Sequence, residues 1–280
     1  MSTDFQQARI ALGVRLRELR AEAGLTGRDL ATRCGWLPSK VSKLENGRQT
    51  PKPADLTAWA AAVGKPAAAA ELKGRLTGLE VTYRSWRRQL ATGHRARQES
   101  AAAEHLNSRV IRAYEATVVP GIFQTADYAR HLLQHSADLR QTPRDTEAAV
   151  RARMKRQASL YEPGRVFHAL VWEAALHVRI CPPGALAAQL DRLAGLIGLD
   201  TVRLGIIPFE AALTITPRHG FWIYDERLVI VETINAEMWL DDPADIALYG
   251  KAWDRLSAAS VHGRTAHRLI ARARAALDLA

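Results

Sequence analysis

Side chains that could hold a metal ion occur as two pairs at helical spacing. His131 and His135 are four residues apart, as are Glu173 and His177, and that spacing places two ligands on one face of a helix. Neither pair has a recognisable third ligand. The sequence also has no nucleophile elbow, no phosphate-cradling glycine loop and no Cys/His pair at motif spacing. We therefore expect no metal, no cofactor and no catalytic activity in this chain.

A second set of side chains, between residues 26 and 52, is suited to contact nucleic acid. Lysine can donate hydrogen bonds to guanine O6 and N7, and serine can pair with several bases. The three predicted base-reading residues are Ser39, Lys40 and Lys43. Phosphate contacts fix register without reading sequence, and the candidates for them are Thr26, Ser42, Asn46, Arg48 and Lys52.

Two short helices must position these side chains. Thr26 starts the first helix and, with Asp29 three residues later, makes a capping box. Gly35 supplies a tight turn, and Pro38 suits the first position of the next helix because its missing N–H has no helical partner there. Two helices joined by a glycine turn form a helix-turn-helix. The second helix of such a unit enters the DNA major groove by its N-terminal end.

Apolar residues at helical spacing are predicted to pack these helices together. In an earlier helix that ends at Gly24, the core-facing stripe is Ile10, Val14, Leu16 and Leu19. From the two later helices the residues predicted to point inward are Leu30, Ala31, Val41 and Leu44. The outward positions of the second helix are then left to polar and basic side chains.

The positive charge is concentrated in the first third of the chain. The formal net charge is +10 over 280 residues, and residues 1–100 hold 18 Lys/Arg against 9 Asp/Glu. A local basic field attracts phosphates, although a solvated basic surface would have the same composition. Cys34 and Cys181 are too few for a disulfide framework. With no signal segment at the start and no long apolar run, we expect a cytoplasmic protein without a membrane span.

The N-terminal motifs together resemble the phage-repressor (xenobiotic response element) helix-turn-helix family over about residues 10–65. The residues that carry the resemblance are Leu16 to Arg20, Gly24 to Thr26, Asp29 to Ala31, Gly35, Val41 to Arg48, Pro51 and Leu56. The resemblance implies a five-helix domain and a structural ion pair between Arg20 and Glu45. This sequence departs from the family at Leu37 and Pro38. Because Pro38 cannot make a hydrogen-bonded base contact, base readout is expected to shift to the three residues named above.

A basic helix is predicted to connect this domain, residues 1–66, to the rest of the chain. Over residues 67–98 a heptad pattern is formed by Leu72, Leu76, Leu79, Tyr83, Trp86 and Leu90. One interpretation is a dimer contact, which would suit binding to paired half-sites. The other is an amphipathic helix docked on its own C-terminal domain, since Gly74 and Gly78 weaken an exposed coiled coil.

Residues 99–280 are predicted to form an α+β domain with a small sheet. Together with the helical N-terminal domain, this makes the predicted fold class of the whole chain mainly α. The predicted helices cover 101–116, 124–135, 144–161, 183–198 and 243–279, the last with a break near Gly263. The predicted strands are Val166–Val171, Val202–Ile207, Gly220–Tyr224 and Leu228–Val231. Five aromatic residues could line a ligand pocket or belong to the core: Trp172, Phe221, Trp222, Trp239 and Trp253.

The C-terminal part is similar to the effector domain of actinobacterial WhiJ-like regulators. The residues that carry the similarity are Glu99 to Tyr114, Val119 to Arg130, Arg153, Arg156-Gln157, Val171 to Leu176 and Gln189-Leu190. The similarity implies an effector domain that follows a repressor-type helix-turn-helix and that is modulated by a small protein encoded nearby. Four basic residues on one predicted helix form either a solvated face or a site for an acidic partner: Arg151, Arg153, Lys155 and Arg156.

The sequence thus favours a transcriptional regulator that binds double-stranded DNA in a sequence-specific manner. We expect a homodimer on a two-fold operator, with a C-terminal domain that receives a small partner protein or a ligand. The alternative is an antitoxin-like interaction protein that sequesters a small partner and uses DNA binding for autoregulation.

Overall fold

The computed structural model describes the backbone of residues 4–277 and the side chains of residues 8–76 and 84–277. Two compact units make up the chain, Met1–Tyr83 and Arg84–Ala280. No helix within residues 4–277 combines the length and the apolar composition that a membrane crossing requires.

Five helices form the N-terminal unit: α1 (Asp4–Glu22), α2 (Gly27–Cys34), α3 (Pro38–Glu45), α4 (Pro53–Ala62) and α5 (Ala68–Thr82). One hydrophobic core joins them, and it includes Leu16 of α1, Leu30 of α2, Leu44 of α3, Trp59 of α4 and Leu72 of α5. The fifth helix of this unit therefore begins after residue 66. Leu76, one turn further along α5, is buried in the same core.

The core-facing stripe of α1 is rotated from the predicted one. Leu16 and Leu19 are buried with Leu12, whereas Ile10 and Val14 are 40% and 43% exposed. Steps of four and three residues link Leu12, Leu16 and Leu19, as one helix face requires, and this face excludes Ile10 and Val14. The prediction that those two residues face the core is wrong.

The predicted helix over residues 67–98 is interrupted. After α5 ends at Thr82 come β1 (Tyr83–Ser85), α6 (Trp86–Gln89) and α7 (Arg95–Leu106). Trp86 belongs to the C-terminal unit, where its Nε1 donates to the carbonyl oxygen of Thr233 at 2.8 Å. The heptad pattern thus contributes Leu72 and Leu76 to one core and Trp86 to the other unit. Leu79 and the side chain of Tyr83 lie outside the described side chains.

A mixed sheet of eight strands organises the described part of the C-terminal unit. Its strands after β1 are β2 (Val110–Glu115), β3 (Val166–Trp172), β4 (Val202–Ile207), β5 (Phe221–Tyr224), β6 (Leu228–Glu232), β7 (Ala236–Leu240) and β8 (Val261–His262). Their order is β1-β7-β6-β5-β2-β3-β4-β8. The pairs β2–β3 and β3–β4 are parallel, while β2–β5, β5–β6, β6–β7 and β4–β8 are antiparallel.

Helices cover both faces of this sheet: α8 (Ala126–Arg140), α9 (Thr146–Arg156), α10 (Pro183–Leu196), α11 (Pro243–Ala258) and α12 (Gly263–Ala275). One buried cluster combines alternate strand residues such as Ile111 and Phe167 with Leu190 of α10 and Ile270 of α12. A second cluster on the opposite side contains Tyr114, Phe221 and Trp253 of α11. Successive side chains of a strand point to opposite faces of the sheet, so the strands supply apolar residues to a layer on each face.

The predicted α+β architecture of this region is confirmed, but the sheet is larger than predicted. The strand β2 was expected to be the end of a helix over 101–116. In the structure α7 ends at Leu106, and β2 then lies between β3 and β5 in the sheet. Its sequence, VIRAYE, starts with two β-branched residues that favour a strand. The alanine-rich helix immediately before it carries the opposite propensity and obscures the boundary.

Candidate functional site

The helix-turn-helix begins with a fully formed capping box. The Thr26 hydroxyl accepts a hydrogen bond from the Asp29 backbone N–H at 3.2 Å, and the Asp29 carboxylate accepts one from the Thr26 N–H at 2.8 Å. Gly35 ends α2 with a φ of +66°, a left-handed conformation that glycine adopts without steric cost. These local features fix where α2 starts and where the chain turns toward α3.

The start of α3 presents an apolar side chain to solvent. Leu37 is the N-cap residue of α3, and Pro38 follows at the first helical position. Leu37 makes no side-chain cap and is 74% exposed. An exposed apolar side chain at this end of α3 can contact a thymine methyl group in the major groove. From the sequence, Leu37 stood out only as a departure from a family pattern, and its exposure was not predicted.

Ser39 and Lys43 lie exposed on the outer side of α3. Neither side chain forms a hydrogen bond or ion pair with any other residue that the structure describes. Val41 and Leu44 are buried and anchor the opposite side of the helix. The structure therefore leaves two of the three predicted base-reading residues free to contact a ligand.

Lys40 is held by the scaffold. Its Nζ donates to Asp55 Oδ1 of α4 at 2.7 Å and lies 3.8 Å from the ring centroid of Trp36. Burial acts to raise the pKa of Asp55, but the hydrogen bonds from Lys40 and from the Lys52 backbone hold that pKa below its usual value. Only 29% of the Lys40 side chain is exposed. To reach a base, Lys40 would have to leave this ion pair.

A bidentate ion pair joins α1 to the end of α3. Arg20 Nε and Nη2 donate to Glu45 Oε1 and Oε2 at 2.6 and 3.0 Å, and Arg20 Nη1 donates to the Leu25 carbonyl oxygen at 2.7 Å. Glu45 is buried. Such charge-assisted bonds fix both distance and angle. The pair therefore sets how α3 is seated, as the family resemblance implies.

The five predicted phosphate contacts are in two different situations. Arg48 and Lys52 have exposed side chains; the side chain of Arg48 has no partner among the described residues, whereas the charge of Lys52 acts on Asp55. By contrast, Asn46 donates to the Ser42 carbonyl at 2.9 Å and accepts from Arg17 Nη2 at 2.7 Å. The remaining candidates are already engaged in caps: Thr26 with Asp29, and Ser42 with Asn46.

Two features of this region were missed in the sequence analysis. Arg28, in the first turn of α2, is exposed and has no side-chain partner among the described residues, so it is a further candidate for a phosphate contact. Gly13 of α1 lies against the end of α3, where an added Cβ would be 2.6 Å from the Glu45 carbonyl oxygen and 2.7 Å from that of Leu44. The close crossing of α1 and α3 therefore requires glycine at position 13.

The four basic residues of α9 do not form one surface. Arg151 and Lys155 are exposed, whereas Arg153 and Arg156 point toward the sheet and line a cavity inside the C-terminal unit. Arg153 Nε donates to Gln98 Oε1 of α7 at 3.0 Å. The prediction of a single basic face on this helix is wrong because α9 packs between α7 and α8, so that part of its circumference is enclosed.

Comparison with known families assigns both regions. Residues 98–272 match a family described as a domain of unknown function, DUF5753. The chain belongs to the DUF5753 family. Residues 11–72 match a helix-turn-helix domain, which supports DNA binding and transcription regulation. No curated protein and no solved structure matches the chain.

Several residues of the DUF5753 domain that the sequence analysis singled out position the start of α8. Thr125 caps this helix by accepting from the Tyr128 N–H at 3.3 Å. Gln189 of α10 accepts from the Thr125 N–H at 2.7 Å and donates to the Phe123 carbonyl at 3.0 Å. Gln124 donates to the Val119 carbonyl at 2.7 Å. The segment from Val119 to Tyr128 therefore has a structural role, which is to fix the start of α8.

The remaining candidates of the DUF5753 domain differ in their surroundings. All five residues of the aromatic set belong to or pack against buried hydrophobic clusters, and Trp222 also lines the cavity beside Arg153. Glu173 is buried and already accepts from Arg272 Nη2 at 2.7 Å and from the Phe209 N–H at 2.9 Å. The structure thus gives Glu173 two partners other than a metal ion.

Proposed function

We propose that this protein is a sequence-specific DNA-binding transcriptional regulator. The observation that supports it best is the outer face of α3, where Ser39 and Lys43 are exposed and unpaired while the opposite face is anchored in the core. The match of residues 11–72 to a helix-turn-helix domain and the charge excess of the first 100 residues support the same conclusion.

In this proposal α3 enters the major groove by its N-terminal end. Lys43 and Ser39 donate to base edges, and Leu37 contacts a thymine methyl group. Arg28, Arg48 and Lys52 contact phosphates, which position the helix without reading sequence. Lys40 stays on Asp55 and supports the base-reading face from behind.

The rest of the proposal concerns assembly and control. We expect a homodimer on a two-fold operator, since paired half-sites one helical turn apart match the symmetry of a helix-turn-helix dimer. The DUF5753 domain then receives the signal, as a small partner protein or a ligand, and the protein acts in the cytoplasm as a binding protein rather than an enzyme.

Selection from a random double-stranded DNA library with the full chain tests the proposal. We expect a two-fold symmetric sequence to be enriched. Fluorescence anisotropy then measures the affinity of the protein for this sequence. Lys43→Ala should then weaken specific binding by about 1–3 kcal/mol and relax the preference at one position of each half-site.

Lys251→Ala serves as the matched control, because Lys251 is an exposed lysine of α11 in the other unit. It should leave the affinity unchanged. If no sequence is enriched, or if Lys43→Ala binds the enriched sequence as well as the unchanged protein does, the proposed recognition face is wrong.

A further inference from the structure

A cavity of about 300 Å³ lies inside the C-terminal unit, lined mostly by residues of the DUF5753 match. Its walls come from α7, α8 and α9 on one side and from β5 and β6 of the sheet on the other. Small-molecule sites in proteins are concave and have volumes from about 300 Å³ upward, with a few charged groups on otherwise apolar walls. The cavity therefore has the dimensions of a ligand site.

The charges that line the cavity are not balanced. Four arginines face it, from α7, α8 and α9, against two glutamates: Arg97, Arg140, Arg153, Arg156, Glu115 and Glu232. Of the arginines, Arg97 has a buried carboxylate of its own, because its Nε donates to Glu237 Oε1 at 2.6 Å. The other three depend on what the cavity itself supplies.

Arg156 is the least satisfied of these groups. It is only 9% exposed, its Nε is buried without a hydrogen-bond partner, and its guanidinium forms no ion pair with any residue that the structure describes. Burial, reinforced by repulsion from Arg153, lowers its pKa to about 9. A buried charge without a partner is costly, so such a group is retained where something binds to it.

The neighbouring guanidinium groups have neutral partners. Arg153 donates to the side-chain oxygens of Gln98 and Gln124, and Arg140 Nη1 donates to Ser136 Oγ at 2.8 Å while its Nε is unpartnered. Both guanidinium groups of α9 lie against one point of the backbone. A Cβ added at Gly121 would be 3.2 Å from Arg156 Nη2 and 3.7 Å from Arg153 Cζ.

The two glutamates do not remove the excess of positive charge at neutral pH. Burial and the proximity of Glu232 raise the pKa of Glu115 to about 8, and its Oε1 accepts a hydrogen bond from Trp222 Nε1 at 3.0 Å. Glu115 is therefore largely protonated at pH 7. Glu232 is a single carboxylate, 4.0 Å from Arg97.

A flat aromatic wall faces these arginines from the sheet. The rings of Trp222 and Tyr224 are 6.3 Å apart with an interplanar angle of 19°, and His105 stacks on Trp222 at 5.6 Å and 25°. Burial lowers the pKa of His105 well below its usual value, so this ring is neutral and adds no charge. Aromatic faces of this kind pack against planar groups in offset-stacked geometry.

We propose that this cavity binds a small organic anion that combines a carboxylate with a planar apolar group. Arg156 is the anchor for the carboxylate, because a guanidinium presents a rigid fork of donors that matches the two carboxylate oxygens. Arg153 and Arg140 supply the surrounding positive field, and Trp222 and Tyr224 contact the planar group. The role of this anion as the signal of a regulator rests on the function proposed above, but the binding of the anion does not depend on DNA.

Calorimetric titration of the full chain with aromatic carboxylates tests the proposal. The probes are benzoate, salicylate and indole-3-acetate, each compared with its uncharged amide, and inorganic phosphate as an anion without a planar group. We expect at least one carboxylate to bind at least tenfold more tightly than its amide and than phosphate. That carboxylate should also raise the thermal midpoint of the DUF5753 domain.

Two variants on the same helix separate binding from folding. Arg156→Met should lose at least tenfold in carboxylate affinity while its thermal midpoint without ligand stays the same or rises, because it removes an uncompensated buried charge. Arg151→Met, which changes an exposed arginine outside the cavity, should change neither quantity.

The proposal is overturned if no carboxylate binds at millimolar concentration, if the amides bind as tightly as the acids, or if Arg156→Met binds the carboxylate unchanged. Measuring operator affinity without ligand keeps the two proposals apart. A chain that binds the carboxylate but no DNA sequence refutes the proposed function alone, and a chain that binds an operator but no carboxylate refutes the anion site alone.

Discussion

Two largely enclosed arginines, Arg20 of the N-terminal unit and Arg156 of the C-terminal unit, have opposite surroundings. In the N-terminal unit, Arg20 shares two hydrogen bonds with the carboxylate of Glu45 and donates a third to a backbone carbonyl. In the DUF5753 domain, Arg156 is more deeply buried, yet it has no carboxylate and leaves a buried N–H unpaired. The same residue type thus occupies a satisfied site in one unit and an unsatisfied site in the other.

The difference indicates which charges belong to the scaffold. A buried ion pair with complete geometry holds two elements in register, and removing one partner leaves the other as a buried, uncompensated charge. A buried arginine without a counter-ion gives the fold no such benefit. It therefore costs stability until an anion arrives, and costs of this kind are characteristic of binding sites. The N-terminal unit carries its free cations outside, on the proposed DNA face, where water solvates them.

The largest expected effect tests this distinction inside one cavity. Arg97→Met removes the partner of Glu237, which is fully buried, and should lower the free energy of unfolding of the C-terminal unit by about 3–5 kcal/mol. Arg156→Met should leave the free energy of unfolding unchanged or raise it. Amide hydrogen exchange in β6 and β7 measures the free energy of unfolding of both variants. Equal destabilisation by the two substitutions would show that Arg156 is also part of the scaffold.

A smaller effect is expected from the seating of α3 on α1. Gly13→Ala places a Cβ against two backbone carbonyl oxygens of α3, so it should cost about 2 kcal/mol by overpacking and displace the base-reading face. Gly74→Ala is the control, because Gly74 lies in α5 with no atom within 4 Å of an added Cβ.

Urea unfolding of the N-terminal unit checks both glycine variants. Gly74→Ala should stabilise the unit by roughly 0.5–1 kcal/mol, since alanine is the better helix former. If Gly13→Ala were neutral, the close α1–α3 crossing would not be what fixes the position of α3.

The sequence predicted those parts of the molecule that local chemistry determines. Thr26, Gly35 and Pro38 mark the ends of α2 and α3, and β4 has the predicted bounds. The predictions that were wrong concern side chains whose direction depends on their tertiary surroundings. Whether Lys40 faces DNA or Asp55 is decided by α4, which is distant in sequence.

The direction of the α9 arginines could not be predicted for the same reason. A run of basic residues on a helix looks like a solvated face unless it is known that neighbouring helices enclose it. The arginine excess of the cavity comes from three helices that are separated in the chain, so no local motif reveals it. The sequence left open whether Trp222 lines a pocket or belongs to the core, and in the structure it does both.

The contrast between paired and unpaired cations also separates two lysines of α3. Lys40→Ala leaves Asp55 partly buried without its cation, so it should lower the stability of the N-terminal unit by about 1 kcal/mol while the sequence preference stays the same. Lys43→Ala should instead leave the stability of the unit unchanged and alter the sequence preference. Thermal unfolding and anisotropy measurements on both variants decide the assignment. Lys40 would be a base-reading residue if its removal changed which operator sequences are bound.

A further expected effect concerns the pH dependence of the proposed anion site. Burial and Glu232 raise the pKa of Glu115 to about 8, and burial lowers that of Arg156 to about 9. As the pH rises from 7 to 9.5, Glu115 gains a negative charge inside the cavity, which opposes anion binding. The other titratable groups that face the cavity are His94, His105, Tyr224, Glu232, Arg97, Arg140 and Arg153. Of these, both histidines have lowered pKa values and stay neutral throughout this range.

We therefore expect carboxylate affinity to fall by about tenfold between pH 7 and 9.5, which corresponds to roughly 1.4 kcal/mol. Glu115→Gln should abolish most of the decrease, because the amide cannot ionise. Calorimetric titrations at half-unit intervals of pH measure the profile of each protein. An affinity that stays constant or rises over this range would mean that the bound anion does not respond to the charge of the cavity, and the contrast between the two units would then lose its functional meaning.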